Sequence, residues 1–297
     1  MEKVNIRHLK TEKRNQKTTE LDLLNPLEII TIMNEEDYSV VDAVGKVLQD
    51  IEACIKIVVE KQKKGGRLIY VGAGTSGRLG ILDAVECVPT FSTKDEVIGI
   101  IAGGNKAFVQ AVEGAEDSKE LAQEDLSQVM LNENDVVVAI TASGRTPYAI
   151  GALDYANKMN AFTVGISCNK GAELSGHANL AIEVDVGPEV LTGSTRLKAG
   201  TAQKMILNMI STASMVGIGK VYKNLMVDMK ATNLKLKERS IGIVVECTGC
   251  ERNEAEKALL MAHNSIKAAI VIILADIDYE EAKERLRKNN GFVRSCI

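Results

Sequence analysis

Five short apolar segments recur between residues 67 and 184 of this 297-residue chain, and they constrain its fold more than any other feature. Within each segment the apolar residues run consecutively instead of alternating with polar ones, which indicates strands that are buried on both faces. Stretches with helical spacing separate most of them, at residues 79–85, 107–112 and 147–158. The sequence therefore predicts an α/β fold with a doubly wound, parallel five-stranded sheet, whose strands are residues 67–71, 97–102, 135–140, 161–166 and 180–184.

The segment before the predicted sheet carries helical periodicity. Residues 1–17 form a polar, basic lead-in. Residues 27–62 predict two helices, which break around residues 34–37 and end at residues 63–66. We therefore expect an N-terminal region, residues 1–64, whose helices pack on the sheet domain.

The segment after the predicted sheet is helical as well. A long amphipathic helix over residues 202–216 belongs to the sheet domain, which we expect to span residues 65–237. Residues 238–297 predict a small helical bundle, with helices at residues 241–247, 254–262 and 266–274 and a last helix capped by Asp278.

The composition limits the classes of function. Hydrophobic residues make up 45% and charged residues 26%, the balance of a globular protein rather than a disordered or fibrous one. A formal charge of −4 and an aromatic content of 3% argue against nucleic-acid binding by a basic face or by base stacking. The longest apolar run, residues 268–275, is far below the ~20 residues of a membrane span, and the charged N-terminal region lacks a signal peptide's apolar core. We therefore expect a cytoplasmic protein with no nucleic-acid or membrane partner.

Six cysteines are scattered through the chain, as is usual for reduced thiols in a reducing compartment. Cys247 and Cys250 form a C-x-x-C pair, but neither a second pair nor a thioredoxin-like context accompanies it. We interpret them as two half-buried thiols near a helix end, with a metal or redox site as the alternative.

The first predicted strand runs into a glycine-rich turn, residues 72–77 (GAGTSG), which matches the G-x-G-x-x-G pattern of dinucleotide-binding proteins. Such a site also needs an acidic residue near the end of the second strand, and that strand ends instead in Gly103 and Gly104. The turn carries two hydroxyl groups, on Thr75 and Ser76, which suit a phosphate monoester at a helix N-terminus. A phosphate monoester is therefore favoured, and a dinucleotide is the alternative.

Two later strands also end in loops that are rich in hydroxyl groups. Residues 141–147 (TASGRTP) follow the third strand, and residues 193–201 follow the fifth. Each loop alone would be an ordinary helix N-cap, since serine and threonine are favoured there. Because ligands bind at the carboxyl ends of strands in open α/β sheets, the three loops together predict a site for a phosphorylated small molecule. Its candidate substrate-binding residues are Thr75, Ser76, Ser143, Arg145, Thr146, Ser194, Thr195 and Lys198.

Longer strings in and around these loops resemble known sequences. The first two loops are similar to those of the sugar isomerase (SIS) fold, which binds phosphosugars. A larger set of strings is similar to the N-acetylmuramic acid 6-phosphate etherase family: GAGTSGRLGILDAVEC (72–87), AVEGAEDS (111–118), ASGRTPY (142–148), TGSTRLKAGTAQKMILNM (192–209) and NLMVDM (224–229). The resemblance covers nearly the whole chain, including the helical tail, and leaves out only about the first 20 residues.

The resemblance implies an enzyme that cleaves the lactyl ether of N-acetylmuramic acid 6-phosphate. The products would be N-acetylglucosamine 6-phosphate and D-lactate, within the recycling of cell-wall sugars. It also implies a homodimer that uses neither a metal nor an organic cofactor. The family's two catalytic glutamates fall on Glu86, in D-A-V-E-C, and on Glu116, in E-G-A-E-D. Val88 precedes Pro89 where relatives often have two prolines, which leaves open the local shape of a loop there.

Cleavage of the lactyl ether of such a substrate requires two proton-transfer groups, a base and an acid. When the sugar ring opens, C1 becomes an aldehyde, a base can remove the C2 proton, and an acid must protonate the lactate that leaves C3. Of the histidines, only His177 could reach the site, and a surface loop is the simpler interpretation for it. We therefore assign Glu86 as the acid and Glu116 as the base, with the division of roles open and Glu113 as the nearest rival to Glu116.

Helix geometry constrains Glu86, which lies nine residues beyond Gly77. In a continuous helix the two would be ~13 Å apart, more than the distance between the phosphate and C3 of a hexose phosphate. Either the helix ends early, or Glu86 serves the site of a partner subunit. We therefore predict a composite active site at the interface of a homodimer.

Two other functions suit the same fold. An aldose–ketose phosphosugar isomerase would also take a proton beside a carbonyl, but it needs no acid for a leaving ether. A phosphosugar-sensing regulator, like the glucokinase regulatory protein, would bind its ligand without turnover. That regulator carries two SIS modules, whereas the sequence predicts one sheet domain here.

Overall fold

The computed structural model describes residues 9–110, 112–229, 231 and 233–297. His8 in the predicted lead-in, and Ala111 near the end of the predicted helix at 107–112, lie outside the described residues. The chain divides into two compact units, which are Met1–Val85 with Asp95–Ser211, and Glu86–Lys94 with Thr212–Ile297.

Five parallel strands form the sheet of the first unit, in the order β2-β1-β3-β4-β5. The strands are β1 (Leu68–Gly72), β2 (Val97–Ile101), β3 (Val136–Thr141), β4 (Phe162–Ser167) and β5 (Leu180–Glu183). Strands β1 and β3 are buried along their whole length, as their unbroken apolar sequences predict. The predicted fold class is therefore confirmed. Because the strand order reverses between β1 and β3, their carboxyl ends border the crevice where such sheets bind ligands.

Seven helices with residues in the first unit accompany the sheet in the described part of the chain. They are α1 (Pro26–Gly45), α2 (Leu48–Lys63), α3 (Gly74–Phe91), α4 (Lys106–Val109), α5 (Lys119–Gln128), α6 (Pro147–Lys158) and α7 (Lys198–Gly217). Helix α6 has the predicted bounds, whereas α5 was not predicted, because few of its residues are apolar. Its sequence signal is Ser118, whose side chain accepts a hydrogen bond from the backbone N–H of Leu121 and caps the helix.

The predicted break at residues 34–37 is wrong, since α1 continues to Gly45. Helix α1 begins with a capping box formed by Asn25 and Glu28, with Pro26 in its first turn. The polar residues that suggested a break are exposed, except for Glu36, which is buried and held by ionic and amide partners. Because these partners satisfy the Glu36 carboxylate, it can be buried within a continuous helix. Helix α1 ends only at Gly45, and α2 begins at Leu48.

Helix α3 is longer than the predicted residues 79–85 and has no early end. It begins at Gly74, directly after β1, and runs without interruption to Phe91. Val88 and Pro89 therefore lie in a helix and not in a loop. The close start is possible because Gly77 has no side chain: a Cβ there would lie 2.5 Å from the carbonyl oxygen of Gly72.

The second unit contains the predicted helical bundle. Its helices are α8 (Leu234–Thr248), α9 (Arg252–Met261), α10 (Ile266–Ala275) and α11 (Tyr279–Lys288). Helix α8 starts earlier than predicted because Asn233 caps it, accepting a hydrogen bond from the Leu236 N–H. Asp278 caps α11 through the Glu281 N–H, as predicted. Cys247 is buried at the end of α8, and Cys250 is half-buried just beyond it.

Among the described residues, no single helix is both long and apolar enough to cross a membrane. Helices α9 and α10, which meet at 115°, reach the required length and composition only when taken together.

Candidate active site

A cavity of about 340 Å³ opens at the carboxyl ends of β1 and β3, where the strand order reverses. Its lining comes from five segments: the N-terminal segment, the turn after β1, a short 3-10 helix at Ala115–Asp117, the end of β3 with the loop after it, and Thr195 from the loop after β5. This position agrees with the rule that parallel α/β sheets bind ligands at the point of strand reversal. The lining residues are Leu9, Glu12, Ala73, Gly74, Thr75, Ser76, Glu116, Asp117, Ile140, Thr141, Ala142, Ser143, Arg145, Thr146, Pro147 and Thr195.

The turn after β1 brings the N-terminus of α3 to the cavity. Gly74 opens the helix with a φ of +53°, a left-handed conformation that glycine adopts without strain. Thr75 and Ser76 follow in the first turn, and the Ser76 hydroxyl donates to Oε1 of Gln203 at 2.9 Å. Because the first N–H groups of a helix have no partner within the helix, this end of α3 favours an anion.

The loop after β3 supplies a second set of hydroxyl groups. The Thr141 hydroxyl lies 2.7 Å from that of Thr146 and 3.3 Å from that of Ser143. The backbone N–H of Arg145 donates to the Ser143 hydroxyl, and the Arg145 Nε lies 3.6 Å from Oε2 of Glu173. Thr141 belongs to the predicted hydroxyl-rich loop 141–147 but was not among the predicted substrate-binding residues. The hydroxyl groups can donate to or accept from a ligand, and Arg145 adds a positive charge.

Gly144 sets the shape of this loop. Its φ is +76°, and a Cβ at this position would lie 2.4 Å from the Cβ of Ala172. No other residue type can therefore occupy the position without moving its neighbours. The glycine places Ser143 and Thr146 on either side of a tight turn that leads into α6.

The third predicted loop contributes one residue to the cavity, Thr195. Ser194 and Lys198 are not among the lining residues. The Lys198 ammonium is buried and lies 2.8 Å from Oε2 of Glu36, and the structure therefore does not bring this lysine to the cavity. Burial raises the pKa of Glu36, but hydrogen bonds from Lys17, Lys198 and Asn15 outweigh that effect and lower it to about 2.

Glu189 holds the start of α7 in place of a side-chain cap. Its carboxylate is fully buried and accepts hydrogen bonds from the backbone N–H groups of Lys198 and Ala199, at 2.9 and 3.0 Å. Burial raises the pKa of Glu189, and these two N–H groups work in the opposite direction. The first N–H groups of α7 therefore have their hydrogen-bond acceptor within the protein.

Three carboxylates line the cavity. Glu116 and Asp117 lie on the short 3-10 helix after Gly114, and Glu12 comes from the N-terminal segment. Glu113, the predicted rival to Glu116, is exposed and is not a lining residue. Sequence reasoning missed Asp117 and Glu12. Asp117 is adjacent to the predicted Glu116, and Glu12 lies in the polar segment 1–17, for which the sequence predicts no role in the site.

The structure does not bring Glu86 into this cavity's lining. Glu86 is exposed on α3, twelve residues after Gly74, which corresponds to ~18 Å along the helix axis. Its carbonyl oxygen accepts a hydrogen bond from the Thr90 hydroxyl at 2.7 Å. Of the two explanations offered by the sequence, an early helix end is therefore wrong.

The remaining candidates for catalysis or metal binding lie elsewhere. His177 is in a 3-10 helix at Glu173–His177, with its Nδ1 2.5 Å from Oδ1 of Asp154, and is not a lining residue. Within the described part of the chain, no group of three or more His, Cys, Asp or Glu side chains is arranged to hold a metal ion.

Comparison with known proteins first defines the class. Residues 50–157 match the N-terminal SIS domain of glucokinase regulatory protein, residues 111–213 match the SIS domain, and residues 223–268 match the C-terminal lid domain of glucokinase regulatory protein. A phosphoheptose isomerase from Francisella tularensis has a similar fold, with a TM-score of 0.50 and 16% identity, over 64% of this chain and 100% of that one. The fold and the family models together define a SIS-domain protein.

Full-length relatives then give the family. N-acetylmuramic acid 6-phosphate etherases from Bacillus cereus (strain 03BB102) and Geobacillus sp. (strain WCH70) are each 57% identical to this chain over 293 residues. The match covers 98% of this chain and 100% and 99% of the two relatives. It therefore extends into the first 20 residues, which the resemblance by motifs had left out. The chain belongs to the N-acetylmuramic acid 6-phosphate etherase family.

Proposed function

We propose that this protein is a carbon–oxygen lyase that cleaves the D-lactyl ether of N-acetylmuramic acid 6-phosphate. The products are N-acetylglucosamine 6-phosphate and D-lactate, in the recycling of cell-wall sugars. Family membership supports the reaction. The observation that carries the proposal is the position of the Glu116 carboxylate in the same cavity as the hydroxyl groups of two strand-end loops.

The phosphate is bound by the two helix N-termini that open onto the cavity. The first turn of α3 offers N–H groups and the Thr75 and Ser76 hydroxyls, and the loop before α6 offers the hydroxyls of Ser143 and Thr146. These groups are neutral donors, and the helix N-terminus favours negative charge. Arg145, held beside Glu173, supplies the cationic group at this end of the cavity.

The reaction proceeds by elimination and hydration. Ring opening exposes the C1 aldehyde, and Glu116 removes the C2 proton to give an enolate. The C3–O bond then breaks, its electron pair leaves with lactate, and Glu86 gives the proton that lactate needs. Water adds to C3 of the unsaturated aldehyde and the ring closes. As it adds, the water gives a proton to Glu86 and C2 regains a proton from Glu116, so both carboxyl groups return to their starting states. Elimination followed by hydration leaves the net oxidation state unchanged, so the reaction needs no redox partner.

Glu86 acts in the site of a second copy of the chain, so that the active form is a homodimer with composite sites. Its distance from the N-terminus of α3 supports this arrangement, because a hexose phosphate is shorter than ~18 Å. The same helix presents an exposed apolar face around Glu86, formed by Leu82, Val85 and Val88 at 45%, 57% and 49% exposure. Such a face is typical of a surface that is covered in an oligomer.

The proposed location is the cytoplasm. The cysteines of the chain are free thiols, as is usual in a reducing compartment. Fractionation of cells that produce the tagged protein tests the location.

The experiment that tests the reaction is incubation of the protein with N-acetylmuramic acid 6-phosphate, followed by measurement of D-lactate. Stoichiometric release of D-lactate and N-acetylglucosamine 6-phosphate is expected. Conversion of an aldose phosphate to a ketose phosphate without lactate would instead identify an isomerase. Saturable binding of the phosphosugar without any product would identify a regulator.

A further inference from the structure

The N-terminal segment forms part of the cavity wall. We refer to residues 9–18 as the N-terminal strap. Leu9 precedes a 3-10 helix at Lys10–Glu12, Glu12 is the last residue of that helix, and both line the cavity. The Glu12 carboxylate also lies near the third hydroxyl-rich loop, since its Oε2 would be 3.6 Å from a Cβ built on Gly193.

One end of the strap is fixed to the loop after β3 by a buried amide. The Asn169 Oδ1 accepts hydrogen bonds from the N–H groups of Lys10 and Thr11, at 2.8 and 3.4 Å. Its Nδ2 donates to the Thr11 hydroxyl and to the carbonyl oxygen of Ala142, both at 3.0 Å. Asn169 and Thr11 are almost fully buried. The amide therefore ties the strap directly to the backbone of the loop that carries Ser143.

The other end of the strap is fixed as well. The Thr18 hydroxyl donates to the carbonyl oxygen of Val190 at 2.8 Å. Asn15 Nδ2 and the Lys17 ammonium both lie 2.8 Å from oxygen atoms of the buried Glu36. Glu12 is thus held between two anchored ends rather than carried on a free tail, and its position in the cavity is built into the fold.

The charge of Glu12 limits what it can bind. A carboxylate only accepts hydrogen bonds, and it repels the phosphate and the lactyl carboxylate of the proposed substrate. No cation pairs with Glu12 among the described residues. The remaining donors of an amino-sugar phosphate are its hydroxyl groups and its acetamido N–H. We infer that Glu12 is a specificity-determining residue, which accepts a hydrogen bond from one of these donors. This inference rests on the proposed phosphosugar substrate.

The test compares Glu12→Ala and Glu12→Gln with the wild-type protein, using isothermal calorimetry with N-acetylglucosamine 6-phosphate and with glucose 6-phosphate. Glu20→Ala is the control, because Glu20 is an exposed glutamate just beyond the strap that does not line the cavity. We expect Glu12→Ala to weaken binding by about 10-fold or more, as for loss of a hydrogen bond to a charged group. Glu12→Gln keeps one acceptor oxygen, so its effect should be smaller, and Glu20→Ala should bind as the wild type does.

The two ligands identify the donor. An equal loss with both ligands assigns a ring hydroxyl, whereas a loss confined to N-acetylglucosamine 6-phosphate assigns the acetamido N–H. Binding of both ligands to Glu12→Ala within twofold of the wild-type Kd would overturn the inference. Thermal unfolding of each variant shows that the protein is folded. Lactate release by the wild-type protein is measured separately, so failure of the proposed reaction is distinguished from failure of the Glu12 assignment.

Discussion

The ammonium group of Lys198 lies 2.8 Å from Oε2 of Glu36, although 162 residues separate them in the sequence. The lysine opens α7 and the glutamate lies in the middle of α1, so this pair fixes an N-terminal helix to the helix that follows the sheet. Lys17 and Asn15 of the N-terminal strap bind the same carboxylate. The buried Glu36 carboxylate therefore stabilises the fold and also holds the strap that forms part of the cavity wall.

Breaking this pair should destabilise the protein strongly. The Lys198 side chain is 3% exposed, whereas that of Lys17 is 69% exposed, and both contact Glu36 at the same distance. We expect Lys198→Met to cost about 3 kcal/mol, since it leaves a buried carboxylate short of a partner. Lys17→Met is the matched control and should cost much less than Lys198→Met, because solvent screens the charge of an exposed lysine. Urea unfolding measures both. Equal losses would contradict the assignment of the energy to the buried pair.

The lowered pKa of Glu36 should make the stability of the folded protein sensitive to acid. The pKa of Glu36 falls from 4.5 to about 2 on folding, so the folded protein binds fewer protons than the unfolded chain between these values. The stabilisation is therefore complete above pH 4.5 and is lost as the pH falls toward 2, by about 3 kcal/mol in all. Unfolding free energies of the wild-type protein and Glu36→Gln, measured from pH 6 to pH 2.5, should converge as the pH falls. A constant difference would show that Glu36 does not carry the effect.

The sequence was sufficient for the sheet, because consecutive apolar residues can be buried on both faces only inside a covered parallel sheet. Each strand lies within one residue of its predicted bounds. The sequence did not predict which distant residues the polar side chains contact. Glu36 suggested a helix break, since nothing in the local sequence indicates that Lys198 and Lys17 neutralise it.

In the site, too, the features with a local sequence signal were predictable and the long-range contacts were not. Hydroxyl groups next to strand ends are local signals, and Thr75, Ser76, Ser143 and Thr146 all line the cavity. Glu12 reaches it on a strap that is held by long-range contacts, among them that of Thr11 with Asn169, 158 positions away in the sequence. Lys198, a predicted substrate-binding residue, instead pairs with Glu36, and no local sequence pattern indicates this contact.

The proposed role of Glu116 as the catalytic base can be tested against the nearby Glu113. Only the first lines the cavity, although three positions separate them in the sequence. Glu116→Gln should lower the rate of lactate release by about 10²- to 10⁴-fold, the usual contribution of a general base. Binding of N-acetylglucosamine 6-phosphate should be nearly unchanged. Glu113→Gln should keep the wild-type rate. A large loss in Glu113→Gln with normal Glu116→Gln activity would transfer the role to Glu113.

Gly144 should tolerate no side chain. Its φ is +76°, and the added Cβ of Gly144→Ala would clash with Ala172, so the loop that carries Ser143 and Thr146 has to move. We expect a loss of about 1 to 3 kcal/mol in stability, together with weaker phosphosugar binding. Gly176→Ala is the control, since a Cβ there meets nothing within 4 Å and its φ is not positive. Calorimetry and thermal unfolding of the two variants make the comparison. Unaltered ligand binding in Gly144→Ala would show that this loop does not hold the ligand.

Mixed dimers test whether Glu86 acts across subunits. Glu86→Gln and Glu116→Gln are each expected to be inactive alone. If Glu86 completes the partner's site, a heterodimer of the two variants has one site with both glutamates intact and one with neither. Random exchange of subunits should then restore about a quarter of the wild-type rate of lactate release, since half of the dimers are mixed and half of their sites are intact. If Glu86 acts within its own chain, no site in any dimer is complete and the mixture stays inactive. Light scattering establishes the dimer, and exchange between a tagged and an untagged variant confirms that the mixed species has formed.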